Sequence, residues 1–199
     1  VVLGLGTAFE LTWQPTSAAE PGNSVLEVDN TISVDVDNEA VFVKAQQDLK
    51  AIVGTATFDV VRVDLPANAK LQSLHGPNVV GHAADPAAPQ TIIIQLAKPT
   101  LGPVKLNWLV ELDHPQSASS LLVEGFNVHE AVRQSGLIGM RSDADHRLDI
   151  DADASKFVRR IDVATVKNYF DFEAAPDSAF RFSKQPFRLD TKIRKVEPQ

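Results

Sequence analysis

The sequence predicts an all-β protein, an antiparallel β-sandwich with little or no helix. Apolar and polar residues alternate with period two through much of the chain, which places one side-chain face on a core and the other in water. β-Branched residues are concentrated in these alternating stretches, most clearly over residues 24–37. Breaks that contain proline or glycine separate the stretches at intervals of roughly 8 to 12 residues, a spacing typical of sandwiches.

The first part of the chain contains a series of predicted strands. Residues 44–51 are ambiguous because the residue types there favour helix, but the apolar positions keep period two, so we predict a strand. Residues 91–96 are apolar on both faces, which is typical of a central buried strand. Trp13 and Trp108 lie in alternating strands, and burial statistics favour core positions for both. The predicted strands are 8–13, 24–37 (one bulged strand or two), 41–51, 55–65, 71–74, 79–80, 91–96 and 104–112.

The closing stretch, residues 168–198, carries the clearest alternation in the sequence. Pro176 and Pro186 divide it into three predicted strands. Upstream, residues 128–140 contain two glycines and predict a strand, a turn and a second strand. Shorter strands are predicted at residues 121–123, 147–151 and 157–161.

A shift in composition at residues 114–120 is the best candidate for an internal boundary. We therefore predict a β-sandwich domain over residues 1–115 and a second β-rich domain over residues 116–199, packed closely on the first. A single larger domain is the alternative, because 199 residues suit one large all-β unit as well as two small ones.

Composition excludes several classes of protein. With 44% hydrophobic and 23% charged residues the chain has a globular composition, and no apolar run approaches the roughly 20 residues of a transmembrane helix. The chain has no cysteine, so it has neither disulfides nor thiolate metal ligands. A net charge of −7 disfavours nucleic acid as a partner, because an acidic surface repels phosphates. The chain begins at Val1, and we expect it to be a mature or excised fragment.

Charge is distributed unevenly along the chain. Residues 1–43 contain no lysine or arginine, whereas residues 181–195 are rich in both. Opposite charges on neighbouring strands assist pairing modestly. Two interpretations follow: two separately solvated faces, or acidic N-terminal strands that lie beside the basic C-terminal strands.

The acidic run at residues 143–153 is the strongest candidate for a chemical site. Its candidate ligands are three aspartates at alternate positions, Asp149, Asp151 and Asp153. This is the one-three-five spacing of a calcium loop, but Ala154 stands where an EF-hand needs glycine and Arg160 where it needs glutamate. Two interpretations remain: a calcium site of another kind, or three carboxylates on the exposed face of a strand.

No segment of the sequence matches a complete catalytic motif. His129 and Glu130 begin a zincin-like motif, but Arg133 stands where the second histidine belongs. Gly4–Gly6 lacks the third glycine and the helix of a dinucleotide fingerprint. Any two acids could meet as a glycosidase pair, yet nothing in the sequence selects one. We therefore predict no catalytic residues and a protein that is not an enzyme.

Several segments resemble bacterial surface proteins. Residues 57–66, followed by residues 71–76, resemble the strand-proline-strand run of cohesin-like sandwiches. Residues 128–138, 157–163 and 180–189 resemble segments of very large, uncharacterised cell-envelope proteins from environmental bacteria. The resemblance implies sandwich architecture and a place in a longer extracytoplasmic chain, in the periplasm or at the cell surface. It implies no activity, since none is established for that group.

We predict a non-catalytic extracytoplasmic module for structure or protein interaction within a larger cell-envelope protein. Two alternatives stay open: a carbohydrate-binding or calcium-assisted adhesion module, and a hydrolase or its accessory domain. The expected partners are other domains of a longer chain or another protein, and exposed edge strands would also allow homo-oligomers. We expect no nucleic acid partner, no membrane span in this stretch and no cofactor other than calcium.

Overall fold

The computed structural model describes residues 25–37, 40–52, 56–113, 120–172 and 174–196. This part of the chain is mostly β, which confirms the predicted fold class. The fourteen strands are β1 (Leu26–Val36), β2 (Val41–Ala51), β3 (Phe58–Asp64), β4 (Ala69–His75), β5 (Val79–Asp85), β6 (Ala88–Thr100), β7 (Val104–Leu112), β8 (Ser120–Val123), β9 (Asn127–Val128), β10 (Ala131–Ser142), β11 (His146–Lys156), β12 (Val158–Ile161), β13 (Ser178–Phe182) and β14 (Arg188–Lys195). A short helix, α1 (Val163–Val166), leads into a 3₁₀ turn (Lys167–Tyr169). No helix in the described residues has the length and apolar character needed to cross a bilayer.

The strands form three sheets. The largest has seven strands in the order β12-β13-β10-β1-β2-β7-β4. A four-stranded sheet has the order β5-β6-β3-β9, and a three-stranded sheet has the order β11-β14-β8. Paired strands run antiparallel, as predicted, except that β1 and β10 are parallel at the middle of the seven-stranded sheet.

One hydrophobic core serves all three sheets. Its largest fully buried side chains include Phe126, Phe182 and Phe187. Its members come from strands on both sides of residue 115, and β1 pairs directly with β10. Of residues 114–120, where we predict a domain boundary, residues 114–119 lie outside the described residues and Ser120 begins β8. The core is therefore continuous from β1 to β14.

The ambiguous residues 44–51 belong to strand β2, as the period-two pattern predicts. The odd-numbered residues of β2, from Val41 to Ala51, are buried, whereas the even-numbered ones are partly or fully exposed. β2 pairs with β1 on one side and with β7 on the other. Burial of the apolar row therefore outweighs the intrinsic helix preference of this segment.

The core side of the seven-stranded sheet contains a buried hydrogen-bond network. Trp108 Nε1 donates to Gln47 Oε1 over 2.8 Å. Gln47 Nε2 donates to Asn30 Oδ1 and to the Phe126 carbonyl, each over 2.9 Å. Gln134 Nε2 donates to the same carbonyl. Because the buried amides are bonded to one another, the network stabilises the packing of β1, β2, β7 and β10.

The first third of the closing stretch corrects the sequence prediction. Residues 168–172 do not form a strand, because the chain turns here through α1 and the 3₁₀ turn. The Asp162 carboxylate accepts the N–H of Ala164 at 2.9 Å and so caps α1. Phe170 is buried and Phe172 packs beside it. The alternating aromatic residues therefore belong to a turn that packs on the sheet, and only β13 and β14 appear as predicted.

β10 runs without interruption through Gly136 and Gly139, where the sequence predicts a turn. A Cβ atom at Gly136 would collide with the carbonyl oxygen of Asn30 on β1. A Cβ atom at Gly139 would lie 2.9 Å from the ring of Phe170. Both glycines therefore serve close approach by neighbouring groups and not reversal of the chain.

The basic C-terminal strand does not lie beside the described acidic N-terminal strand. β14 pairs with β11 and β8, whereas β1 pairs with β10 and β2. Opposite charges meet elsewhere, since Lys192 of β14 lies opposite Asp149 of β11. The predicted strand at residues 8–13, with Trp13, and the Gly4–Gly6 segment lie outside the described residues.

Candidate functional site

One side of the seven-stranded sheet packs on the core, and the other side is its open face. We define the open face by a row of residues in register, one from each strand, whose side chains share that face. The row, from β12 to β4, consists of Arg159, Arg181, Leu137, Thr31, Gln46, Asn107 and His75. Each member is partly or fully exposed, whereas the sequence neighbours Ile32, Ala45 and Trp108 are buried.

The segment after β12 covers part of the open face. Val166, Phe170 and Ala179 form a small apolar cluster there. Lys44 Nζ on β2 lies 3.1 Å from Asp171 Oδ2, which ties the end of the segment to the middle of the sheet. The 3₁₀ turn therefore stands on the open face.

Tyr169 stands between two grooves on the open face. Its side chain is among the exposed large hydrophobic groups, at 66% exposure. One groove, of about 310 Å³, is lined by Tyr169 together with Asn107 and His75. The other, of about 490 Å³, is lined by Tyr169 together with Asp48 and Arg181. This surface offers an aromatic ring and hydrogen-bonding groups side by side.

Several charged side chains of the open face are joined in ion pairs. Arg141 contacts Asp35 through two hydrogen bonds, of 3.1 Å from Nε and 2.6 Å from Nη2. Arg133 Nη1 lies 3.7 Å from Glu27 Oε1. Both pairs link β10 to β1, so these charges support the parallel pairing.

Arg159 and Arg181 are arranged differently. They lie directly opposite each other on β12 and β13, and both are exposed. Among the described residues, no carboxylate lies within 4.0 Å of either, or of the adjacent Arg160. The other six arginines each have such a partner: Arg62, Arg133, Arg141, Arg147, Arg188 and Arg194. Arg159 and Arg181, which have no carboxylate partner among the described residues, are therefore neighbours at one edge of the open face.

The structure places the three predicted calcium ligands on β11: Asp149, Asp151 and Asp153. Asp149 Oδ2 lies 2.8 Å from Arg194 Nε, and Asp151 Oδ2 lies 3.2 Å from Lys192 Nζ. The N–H of Ala154 and, second, Lys192 lower the pKa of Asp151. Within the described ranges, no three histidine, aspartate or glutamate side chains converge as a metal site. Calcium binding here stays a prediction, with the basic residues of β14 as competing partners.

Two histidines are paired with carboxylates. His129 Nε2 lies 2.6 Å from Asp64 Oδ1, and the Thr91 hydroxyl donates to the same oxygen at 2.6 Å. Burial acts to raise the pKa of Asp64, but the bonds from Thr91 and His129 outweigh it, so this pKa is lowered. Thr91 bonds the carboxylate and not the imidazole, so the cluster lacks the nucleophile-base order of a catalytic triad. His146 Nδ1 lies 2.7 Å from Asp143 Oδ1 within the turn before β11.

Trp108 occupies the core position predicted for it. Its side chain is 3% exposed, and its indole N–H is bonded to Gln47. It therefore offers no platform on which a sugar ring could stack. The core prediction for Trp13 stays a prediction, because residue 13 lies outside the described ranges.

Comparisons with known proteins found no matching family model and no matching curated protein. Among solved structures, an M1 zinc metallopeptidase from Deinococcus radiodurans has a TM-score of 0.49 at 10% identity, over 87% of this chain and 44% of that chain. Native leukotriene A4 hydrolase from Saccharomyces cerevisiae has a TM-score of 0.49 at 11% identity, over 90% of this chain and 32% of that chain. Aminopeptidase A from Legionella pneumophila, in complex with aspartic acid, has a TM-score of 0.45 at 12% identity, over 85% and 21%. This chain spans less than half the length of each of these proteins, and their activities are not assigned to it.

Sequence reasoning did not identify the open face as a site. It placed Tyr169 in a strand. Asp162, which precedes Ala164 and Thr165 by two and three positions, is a residue type that commonly caps the N-terminus of a helix. No signal in the sequence aligns Arg159 with Arg181. The register between their strands depends on how the whole sheet assembles.

Proposed function

We propose that this chain is a non-catalytic interaction module that presents the open face of its seven-stranded sheet to another protein domain. The observation that supports this most is Tyr169, which is two-thirds exposed between two grooves on that face. A solvated sheet face is ordinary in itself, but a large exposed aromatic side chain that lines the same groove as Arg181 is not. Tyrosine and arginine are residue types enriched at the energetic centres of protein interfaces.

The partner in this proposal is another domain of a longer chain or a separate protein of the cell envelope. The extracytoplasmic location rests on the resemblance of residues 57–66 and 180–189 to bacterial surface proteins. An accessory domain of a hydrolase is a special case, in which the docked domain carries the catalytic centre. Both cases involve the same covered face and differ in the identity of the partner.

The cysteine-free sequence makes coverage of the open face directly measurable. Single cysteines would be introduced by Thr31→Cys or Gln46→Cys on the open face. Asp153→Cys, on an exposed part of β11, is the matched control. The rate of labelling by a maleimide would be compared between the isolated chain and the native assembly in extracts of the source cells.

Labelling of the two open-face variants should slow by roughly 10-fold or more in the native assembly, because a docked domain excludes water and reagent from the contact. The Asp153→Cys variant should label at the same rate in both preparations. Equal rates for all three variants in both preparations would contradict the proposal. If the open face is protected, a cross-linker attached to the Gln46→Cys variant would identify the partner by mass spectrometry. A hydrolase domain as that partner would favour the accessory-domain alternative.

A further inference from the structure

We infer that Arg159 and Arg181 form a receptor for carboxylates, to which the docked protein supplies a segment rich in aspartate and glutamate. This inference rests on the proposed docking of a protein on the open face. It specifies the chemistry of that contact at the edge formed by β12 and β13.

The position of the two arginines is unfavourable for the isolated fold. They are direct cross-strand partners on antiparallel strands, so their Cβ atoms are about 5 Å apart and their charges destabilise the pairing. Carboxylates are plentiful, since the chain has 26 Asp and Glu against 19 Lys and Arg. None of the described carboxylates lies within ion-pair distance of the two side chains. A like-charge pair that no described carboxylate compensates indicates a role in contact with another molecule.

Other arginines of the chain show what this pair can bind. Arg188 donates to Asp190 through Nε at 2.6 Å and through Nη2 at 3.1 Å. Arg141 makes the same two-pronged contact with Asp35. The planar guanidinium group matches a carboxylate in this way better than an ammonium group does. Arg159 and Arg181 present the same groups to solvent, where carboxylates of a docked segment can reach them.

The surroundings of the pair favour a protein segment over a uniform polyanion. The groove that Arg181 lines also contains Asp29 and Asp48, and Asp171 lies farther along the open face. The chain as a whole carries a net charge of −7. Nucleic acid or an anionic membrane would meet these negative charges along its length. A protein segment can instead place carboxylates at the arginines and other groups opposite the aspartates.

Protection of a sheet edge does not account for both arginines. Charged side chains on edge strands prevent unwanted pairing with other chains, which explains Arg159 and Arg160 on the edge strand β12. Arg181 lies on β13, which is paired on both sides by β12 and β10. Because β13 is not an edge strand, edge protection does not explain the charge of Arg181, which lies directly beside Arg159 on the open face.

The test uses a fluorescein-labelled peptide of eight glutamates as the probe and fluorescence anisotropy as the readout. The wild-type chain would be compared with an Arg159→Gln/Arg181→Gln variant and an Arg160→Gln variant. Arg160 is the matched control because it is an unpaired, exposed arginine on the same strand whose side chain faces away from the open face. We expect the double variant to bind the peptide at least about 10-fold more weakly and the control to stay within about twofold of wild type.

Two further probes separate an acidic protein segment from other anions. Fluorescein-labelled oligothymidylate and vesicles of phosphatidylcholine with phosphatidylglycerol should show no binding that depends on Arg159 and Arg181. Arginine-dependent binding of either probe would overturn the inference in favour of a polyanion. Lack of peptide binding, or equal binding by all three chains, would also overturn it, provided that thermal melts show each chain to be folded.

The cysteine-labelling experiment keeps this inference distinct from the proposed function. A covered open face together with failure of the glutamate peptide would refute only the carboxylate receptor. An uncovered open face would refute the docking of a protein, whatever the peptide does.

Discussion

Gln46 and Gln47 are neighbours in β2, yet they lie in opposite environments on the two sides of the seven-stranded sheet. Gln47 is fully buried, and its amide is bonded to Trp108 and Asn30. Gln46 is half-buried on the open face and donates to Asp48 at 3.2 Å. The core side is therefore held by a completed hydrogen-bond network, whereas the open face keeps polar groups accessible to a partner.

The arginines repeat this contrast between completed and uncompleted interactions. Arg194 of β14 lies 2.8 Å from Asp149 of β11, so the charges of the three-stranded sheet compensate one another. Arg159 and Arg181 occupy the same kind of cross-strand setting without a described carboxylate partner. Under the proposed function, stability and recognition rely on different parts of one chain, and substitutions should separate them.

Substitution of Gln47 should have the largest effect on stability. Gln47→Leu removes partners from the buried indole N–H of Trp108 and the buried amide of Asn30, so we expect the free energy of unfolding to fall by about 3 kcal/mol. Gln46→Leu, one residue away on the open face, should change it by less than about 0.5 kcal/mol. Urea denaturation of both variants measures the difference. Equal losses of unfolding free energy in Gln47→Leu and Gln46→Leu would mean that polar side chains on the two sides of the sheet contribute equally to stability.

Substitution of Gly136 should have the second largest effect. Gly136→Ala places a Cβ atom against the backbone carbonyl of Asn30, so β1 and β10 must separate, and we expect a loss of about 2 kcal/mol. Gly81→Ala on β5 is the control, because nothing lies within 4 Å of the added Cβ. That control should be neutral or stabilising by about 0.5 kcal/mol. Thermal unfolding of the Gly136→Ala and Gly81→Ala variants tests whether the loss of stability comes from the close approach of β1 and β10 or from replacement of any glycine.

Substitution of Asp64 tests how much a half-exposed polar contact contributes to the free energy of unfolding, compared with contacts on the core side and on the open face. A carboxyl group whose pKa is lowered in the folded state stabilises the fold above its unfolded pKa of about 3.9, and this contribution is lost as the pH falls through the folded pKa. The side chain is 39% exposed, so we expect Asp64→Asn to lose only about 1 kcal/mol at pH 7.

The Asp64→Asn deficit should shrink as denaturation is repeated at pH values below about 3.9, because Asp64 of the wild-type chain then takes up a proton on unfolding. Asp153→Asn, at an exposed position on β11, should leave the unfolding free energy unchanged at pH 7. A deficit in Asp64→Asn that is the same at pH 7 and at these lower pH values would argue that the carboxylate charge contributes nothing.

The arginine pair should give the smallest effect and one of opposite sign. Removing both charges with Arg159→Gln/Arg181→Gln relieves like-charge repulsion, so we expect a gain of about 0.5 kcal/mol at low salt that diminishes as salt is added. Arg141→Gln breaks the two-pronged contact with Asp35 and should instead lose about 0.5 to 1 kcal/mol. Melting temperatures at low and high salt measure both. A loss of stability in the double variant would mean that the pair supports the fold.

Local pattern in the sequence was sufficient to predict the all-β class and many of the strands. Period-two burial in β2 follows from side-chain alternation, because each strand has only two faces. The buried position of Trp108 follows from the burial statistics of large aromatic residues. The alternation rule failed at residues 168–172, where a capped turn spaces its aromatic residues like a strand. The turn that glycine residues predict at Gly136 and Gly139 is also absent, because these glycines accommodate Asn30 and Phe170, which are distant in the chain.

The candidate site depends on register between distant strands, which no local pattern contains. Arg159 and Arg181 are 22 positions apart, and they meet only because β12 pairs with β13 in one of several possible alignments. A shift of that pairing by one residue would move the two side chains to opposite faces. The sequence therefore predicted the all-β class and many of the strands, whereas assembly of the whole sheet around one core selected the residues that form its open face.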